Sequence, residues 1–369
     1  MIDSLSAHRC WAEIDLGALR HNAQAARKLV GTEVALLAVI KANGYGHGLA
    51  TVAEALREHA QLFGVANLQE AEVARGVVPH PIIVLGPALP AERAAIVEHR
   101  FIPSVSSYDE ALAFNAAADG WTVFLNCKID TGMGRMGIAE ADSVAQIARI
   151  AQLPNIEIHS VSSHLPSADE DPVFTAQQLA RLDEIITRLR REVPGSYQIH
   201  TLPSAGVLGF PESAYNIARA GLMLYGISPL PEQQALLRPV MALKAHVVLL
   251  RDVPAGTPIS YGRTFVTARA MRVATLSVGY ADGFPRALSN RGAVVLIGSR
   301  RCAVLGRVTM DLTVVDVSDV PDVEVGDEAV LIGRQGEEEI LASEVAERAS
   351  TITWEVFTGI GSRVARVYV

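Results

Sequence analysis

The residue with the most chemistry to offer is a lysine at the head of a glycine-rich loop. Lys41 stands in Ala38-Val39-Ile40-Lys41-Ala42-Asn43-Gly44-Tyr45-Gly46-His47-Gly48. The branched apolar run before it, Val34–Ile40, reads as a strand, so Lys41 falls at the strand's C-terminal end. The three glycines that follow allow backbone to approach a ligand closely. An amine desolvated in such a place loses its proton readily and can form a Schiff base with an aldehyde. On position alone, a lysine pointing into solvent is an equal alternative. Arg219 closes another branched run, Tyr215–Arg219, and would face the same way, as a ligand contact or as half of a structural ion pair.

The elements that must hold these side chains alternate. Strands are expected at Val34–Ile40, Phe63–Ala66, Pro81–Leu85, Phe101–Val105, Thr122–Cys127, Ile156–Val161, Tyr197–Thr201 and Tyr215–Arg219. Helical periodicity lies between them. Leu49–Ala60 repeats Leu49, Val52, Ala53 and Leu56, and Val173–Val193 carries Leu179, Leu182, Ile185, Ile186 and Leu189 on one stripe. Such alternation builds a parallel sheet, and eight strands favour a closed (β/α)8 barrel of the TIM type, whose catalytic groups sit at the C-terminal strand ends. An open doubly wound sheet is the runner-up, but no GxGxxG turn follows the first strand. After a proline-containing stretch near residue 230, strands follow one another. They are expected at Val240–Leu250, Met271–Val278, Ala293–Ile297, Ala303–Arg307, Thr313–Val317, Glu328–Ile332 and Arg363–Val369, with Ala342–Ala349 alone helical. The organisation read from this is an α/β barrel over 1–234 and a mostly-β domain over 235–369. The early strand Cys10–Ile14 is free to pair with the second domain.

Bulk properties narrow the function classes. The 369 residues suit two domains. A formal net charge of -8 argues against nucleic acid as a partner. Cys10, Cys127 and Cys302 are scattered and odd in number, which suggests neither a metal site nor a disulfide framework, and a reducing cytosol is the expected compartment. No basic region followed by an apolar run opens the chain, so no secretory signal is read there. No apolar stretch approaches the ~20 residues that a membrane span needs.

The segment around Lys41 resembles the pyridoxal 5'-phosphate (PLP) attachment signature of bacterial alanine racemases. Further blocks resemble that family in the same order: Asp130–Gly137, Arg219–Gly226, Ser260–Gly262, Gly279–Arg286 and Gly306–Asp311. The resemblance implies a barrel plus a β domain, a cytoplasmic homodimer with shared active sites, and interconversion of L- and D-alanine to supply D-alanine for peptidoglycan. It implies Lys41 as the PLP-bearing residue and one catalytic base, and Tyr261 of the partner subunit as the other. Racemisation needs proton exchange on both faces of a planar carbanion, which two fixed bases do without moving.

Other roles are implied residue by residue. His164 packs near cofactor and tyrosine. Arg219 faces the pyridine nitrogen, and because guanidinium keeps its proton, it limits delocalisation into the ring. Tyr45, Ser204 and the backbone at Gly221 hold the phosphate. Arg135 and Met310 meet the substrate carboxylate, with Asp311 beside Met310, and Lys128 is a candidate for carbamylation that would orient Arg135. Tyr280 and Arg286 line the substrate passage. Two departures stand out: Pro203-Ser204 replaces the common Asn-Ser, and Trp354 stands near the cofactor where a tyrosine is usual. A serine or broader-specificity racemase, a non-catalytic PLP carrier and a two-domain decarboxylase are the alternatives. The β domain with Tyr261 weighs against the carrier.

Overall fold

The computed structural model describes His8–Val369. Residues 1–7, part of the segment read as lacking a secretory signal, lie outside the described residues. The chain divides into two compact units, one formed by 19–44 and 49–238, the other by 45–48, 239–369 and the described part of 1–18.

The first unit is built on eight parallel strands: β1 Ala35–Val39, β2 Leu62–Val65, β3 Ile82–Val84, β4 Ile102–Val105, β5 Val123–Asp130, β6 Ile156–Ser162, β7 Gln198–His200 and β8 Ile217–Ala220. From β1 to β7 each pairs with the next, and β8 pairs with β1. Between β7 and β8 the ring is joined by Asn216 N–H donating to Ile199 O at 3.2 Å and Arg219 N–H to Leu202 O at 3.0 Å. β2, β3 and β4 are buried at every residue. Such strands read as continuous apolar runs because helices cover the outer face while side chains fill the interior. The longest helix, Pro172–Glu192, starts where the Asp171 carboxylate accepts from Phe174 N–H at 2.9 Å. Its expected stripe of Leu179, Leu182, Ile185, Ile186 and Leu189 is buried.

The second unit is organised by the thirteen-residue strand Met241–Val253. It pairs antiparallel with Cys10–Ile14, Met271–Leu276 and Glu328–Gln335, and Cys10–Ile14 pairs in parallel with Ala365–Tyr368. Two expectations are corrected here. The strand placed at Ala303–Arg307 runs instead over Arg300–Ala303, hairpinned to Val294–Ile297. Gly298 and Ser299 both have positive φ, 57° and 60°, as a two-residue type I′ turn requires, and that turn sets the register earlier. Ala342–Ala349 is helical, but Thr353–Thr358 forms a second helix. Its six residues are too few for a periodic signal, and burial of Val356 and Phe357 holds it.

Candidate functional site

In the barrel unit the expected residues gather at the C-terminal ends of the strands. Lys41 follows β1, Lys128 lies late in β5, His164 follows β6, Ser204 follows β7 and Arg219 lies in β8. The turn after Lys41 is left-handed, with φ of 52° at Ala42, 54° at Asn43 and 61° at Gly44. Such a run is costly for residues bearing a Cβ and persists only where neighbours enforce it. Glu70 is one enforcer: its carboxylate accepts from Ala42 N–H at 2.7 Å and from Ala66 N–H at 2.8 Å. Asn43 Oδ1 accepts from Leu49 N–H at 3.0 Å. Glu70 was not singled out from sequence; its signal is Asn67 three positions ahead, whose side chain caps Glu70 N–H at 3.0 Å.

The glycines of this loop serve the chain itself. In the second unit, a Cβ on Gly46 would collide with the Phe357 carbonyl, and one on Gly48 with the Tyr368 hydroxyl. Close backbone approach is required as expected, but toward protein. Arg135 sits on the loop after β5, which the Asp130 carboxylate shapes by accepting from Gly132, Met133 and Gly134 N–H at 2.9, 2.8 and 2.8 Å.

The charges here are one-sided. Burial and the neighbouring Arg135 lower the Lys41 ammonium below its ordinary pKa, while Glu70 acts in the other direction. Burial, Arg219 and Arg135 bring Lys128 down to about 7, against the opposing pull of Asp130. His164 is pushed down to about 2 by burial and then by Arg219, Lys128, Arg135 and Lys41. A neutral His164 results, surrounded by cations. A cluster of mutually repelling cations is complementary to an anionic ligand carrying phosphate and carboxylate groups.

Arg219 is buried and makes no ion pair among the described residues, so the structural ion-pair alternative falls. Its Nη1 donates to His200 Nδ1 at 2.7 Å and His200 O at 2.9 Å. Its Nη2 donates to Ser163 O and Thr201 O, both at 2.8 Å, and approaches His164 Nδ1 at 3.1 Å. Both terminal nitrogens are thus committed, and Nε–H remains for a ligand acceptor. His200, buried and neutral, was missed from sequence, where a lone histidine inside a strand carries no signal. Ser204 Oγ accepts from Gly221 N–H at 2.9 Å and Met223 N–H at 3.2 Å. With its lone pairs so used, the hydroxyl has its proton to give, as a phosphate oxygen requires. The backbone N–H of Gly221, expected at the phosphate, is directed at Ser204 instead.

The remaining expected residues belong to the second unit. The Trp354 side chain hydrogen-bonds Tyr45, whose hydroxyl burial pushes up to about 12. Tyr261 lies in the turn Tyr261–Arg263 and is 71% exposed. Ser260, at φ 61°, turns the chain outward there and is tied by its hydroxyl to Arg307 O at 2.6 Å. Tyr280 and Met310 are adjacent, through Tyr280 N–H to Thr309 O at 2.9 Å and Ala281 N–H to Met310 O at 3.0 Å. Asp311 pairs with Arg363 at 2.7 Å, and Arg363 also holds Asp282 at 2.7 Å. Arg286 is exposed at the start of a 3-10 turn.

No group of three or more metal-ligating side chains occurs among the described residues. No helix among them is long and apolar enough to cross a membrane.

Known proteins match this chain over nearly its whole length. The family model for the alanine racemase N-terminal domain matches residues 14–229, and that for the C-terminal domain matches 240–368. The alanine racemase of Halothermothrix orenii is 40% identical, covering 97% of this chain and 96% of its own. That of Symbiobacterium thermophilum is 41% identical with the same coverage. Among solved structures, the alanine racemase of Streptomyces coelicolor superposes with a TM-score of 0.91 at 34% identity over 100% of both chains. The Bartonella henselae alanine racemase, with covalently bound pyridoxal phosphate, gives 0.89 at 26% identity over 98% of this chain and 99% of that one. With both family models matched and full-length relatives well above 30% identity, the chain belongs to the alanine racemase family.

Proposed function

We propose that the chain interconverts L- and D-alanine on PLP, with Lys41 and the partner subunit's Tyr261 as bases on opposite faces of the substrate. The observation that carries the reading is the desolvated Lys41 amine at a barrel strand end, among cations without enough anions of their own. When bound, PLP supplies the electron sink that makes the substrate's α C–H acidic. Lys41 bears the cofactor, and its lowered pKa suits an Nζ that takes and returns a proton on one face. Tyr261 Oη does so on the other. Neutral His164, with Arg219 Nη2 3.1 Å from its Nδ1, is available to hydrogen-bond the Tyr261 oxygen. Ser204 and Tyr45 hold the phosphate, and Arg135 with Met310 the substrate carboxylate. Lys128, near pKa 7, has the neutral fraction that carbon dioxide addition needs.

The homodimer is part of this proposal. Tyr261 and Met310, 71% and 53% exposed, are available to a second copy. Mixing inactive Lys41→Ala with inactive Tyr261→Phe, then allowing subunit exchange, should restore activity at the one intact site of each mixed dimer. That is about a quarter of wild-type sites at random assortment. Mixed dimers that form but stay inactive would place both bases in one chain.

Arg219 Nε–H is assigned to the pyridine nitrogen. Arg219→Glu, which favours a protonated ring, should slow racemisation by about 10- to 100-fold and raise the share of turnover lost to transamination. Unchanged rates and an unchanged product ratio would make Arg219 structural.

Trp354 bears on selectivity. Held by donating its one N–H to Tyr45, the indole keeps its bulk in place and has neither a donor nor an acceptor left for a serine hydroxyl. An unpartnered buried hydroxyl costs about 1–3 kcal/mol, so kcat/KM for L-alanine should exceed that for L-serine by about 5- to 150-fold. Equal turnover of both, with alanine preference restored in Trp354→Tyr, would reverse the steric argument.

A further inference from the structure

Behind Arg219 a line of polar side chains crosses the barrel interior from β8 to β3. Arg219 Nη1 reaches His200 Nδ1 at 2.7 Å. His200 Nε2 lies 3.3 Å from Ser160 Oγ, Ser160 Oγ 3.0 Å from Asn126 Oδ1, Asn126 Nδ2 2.9 Å from Ser104 Oγ, and Ser104 Oγ 2.8 Å from Val84 O. The members come from β8, β7, β6, β5, β4 and β3 in turn, each strand beside the next, and His200, Ser160, Asn126 and Ser104 are all buried.

We infer that Ser160, Asn126 and Ser104 are positioning residues that form a one-way hydrogen-bond relay, fixing His200 as its Nε2–H tautomer and thereby the plane of Arg219. Both ends force the direction. A guanidinium only donates, so His200 Nδ1 must be a bare acceptor and the ring proton sits on Nε2. A carbonyl only accepts, so Ser104 gives its proton to Val84 O and must itself accept from Asn126. The Asn126 amide is then oriented with Nδ2 toward Ser104 and Oδ1 toward Ser160. The Ser160 hydroxyl donates to Oδ1 and accepts from His200. Its second lone pair is available to His159 Nδ1, 3.1 Å away. No other assignment pairs every member. Burial and the neighbouring Arg219 and Lys128 keep His200 neutral, and Arg219, lowered to about 10, remains a cation at neutral pH, so both conditions hold.

The consequence for the reaction rests on the assignment of Arg219 to the cofactor ring. A histidine free to flip or change tautomer would release one of the bonds that holds the guanidinium in plane, and Nε–H would lose its aim. Buried polar chains of this kind fix a unique arrangement only when every member is satisfied.

Neutron diffraction from the PLP-loaded, hydrogen–deuterium-exchanged wild-type protein tests the relay without reference to turnover. The expected result is a deuteron on His200 Nε2 and none on Nδ1, with Asn126 Nδ2 facing Ser104. A deuteron on Nδ1, or the reversed amide, overturns the proposal. Kinetics then separates positioning from scaffolding. Ser160→Ala should lower kcat about tenfold and raise the transamination share, while Ser160→Thr, which keeps the hydroxyl, stays within about threefold of wild type with an unchanged share. A folded, PLP-loaded Ser160→Ala with wild-type kcat and product ratio overturns the positioning role. Should Ser160→Ala not fold, the wild-type deuteron positions decide. An inactive wild-type protein with the expected deuterons would count against the function and not the relay.

Discussion

Lys41→Ala is expected to lose at least about 10⁴-fold in racemisation and to lose all PLP that borohydride can fix to the chain. Two roles fall on one amine, carrying the cofactor and moving a proton, and each alone is worth orders of magnitude. The amine is pre-set for both by burial and by Arg135, which lower its pKa. The clamp of Glu70 on Ala42 N–H holds the left-handed turn that begins just after it. Methylamine added to the variant should recover a small part of the activity, since only a primary amine is missing. A variant that still yields a borohydride-fixed PLP adduct on another lysine would remove Lys41 from its assigned place. Lys128 is the control, because its pKa of about 7 makes it the other desolvated amine of the unit.

Tyr261→Phe should be nearly as damaging to racemisation, by about 10²- to 10⁴-fold, yet leave PLP binding intact. The change deletes one oxygen from a side chain that stands 71% exposed in the single chain, so little folding energy depends on it. The loss should be asymmetric. With one base removed and Lys41 retained, solvent deuterium should still enter the α position of one alanine enantiomer, while exchange from the other collapses. A factor of 10⁴ corresponds to about 5.4 kcal/mol of transition-state stabilisation, the scale of a positioned general base. Equal, near-wild-type racemisation in both directions would leave Tyr261 without a catalytic role.

The barrel was legible because its strands are buried on both sides and read as apolar runs such as Ile82-Ile83-Val84, with helical stripes such as that of Pro172–Glu192 between them. Lys41 stood out as a candidate because a strand end and a glycine-rich loop surround it. What escaped has physical reasons. The Gly298-Ser299 turn moved one strand because two consecutive positive-φ residues override the apolar count beyond them. The exposure of Tyr261 depends on Ser260 adopting a positive φ, which its residue type does not announce. Glu70, His200, Ser160 and Asn126 act through partners 28, 19, 40 and 22 residues away, contacts that only the closed barrel creates. The mouth residues have separable chemistry that one sequence displays; the groups behind them have only geometry.

Following L-alanine and D-alanine separately with the purified, PLP-loaded wild-type chain in D2O, by chiral chromatography and mass spectrometry, tests the central claim most directly. The account predicts that both enantiomers converge on an equal mixture, that product formed early carries deuterium at the α-carbon, and that Lys41→Ala and Tyr261→Phe each abolish the convergence. Alanine that keeps its configuration and its α-hydrogen through prolonged incubation with PLP-loaded protein would contradict it.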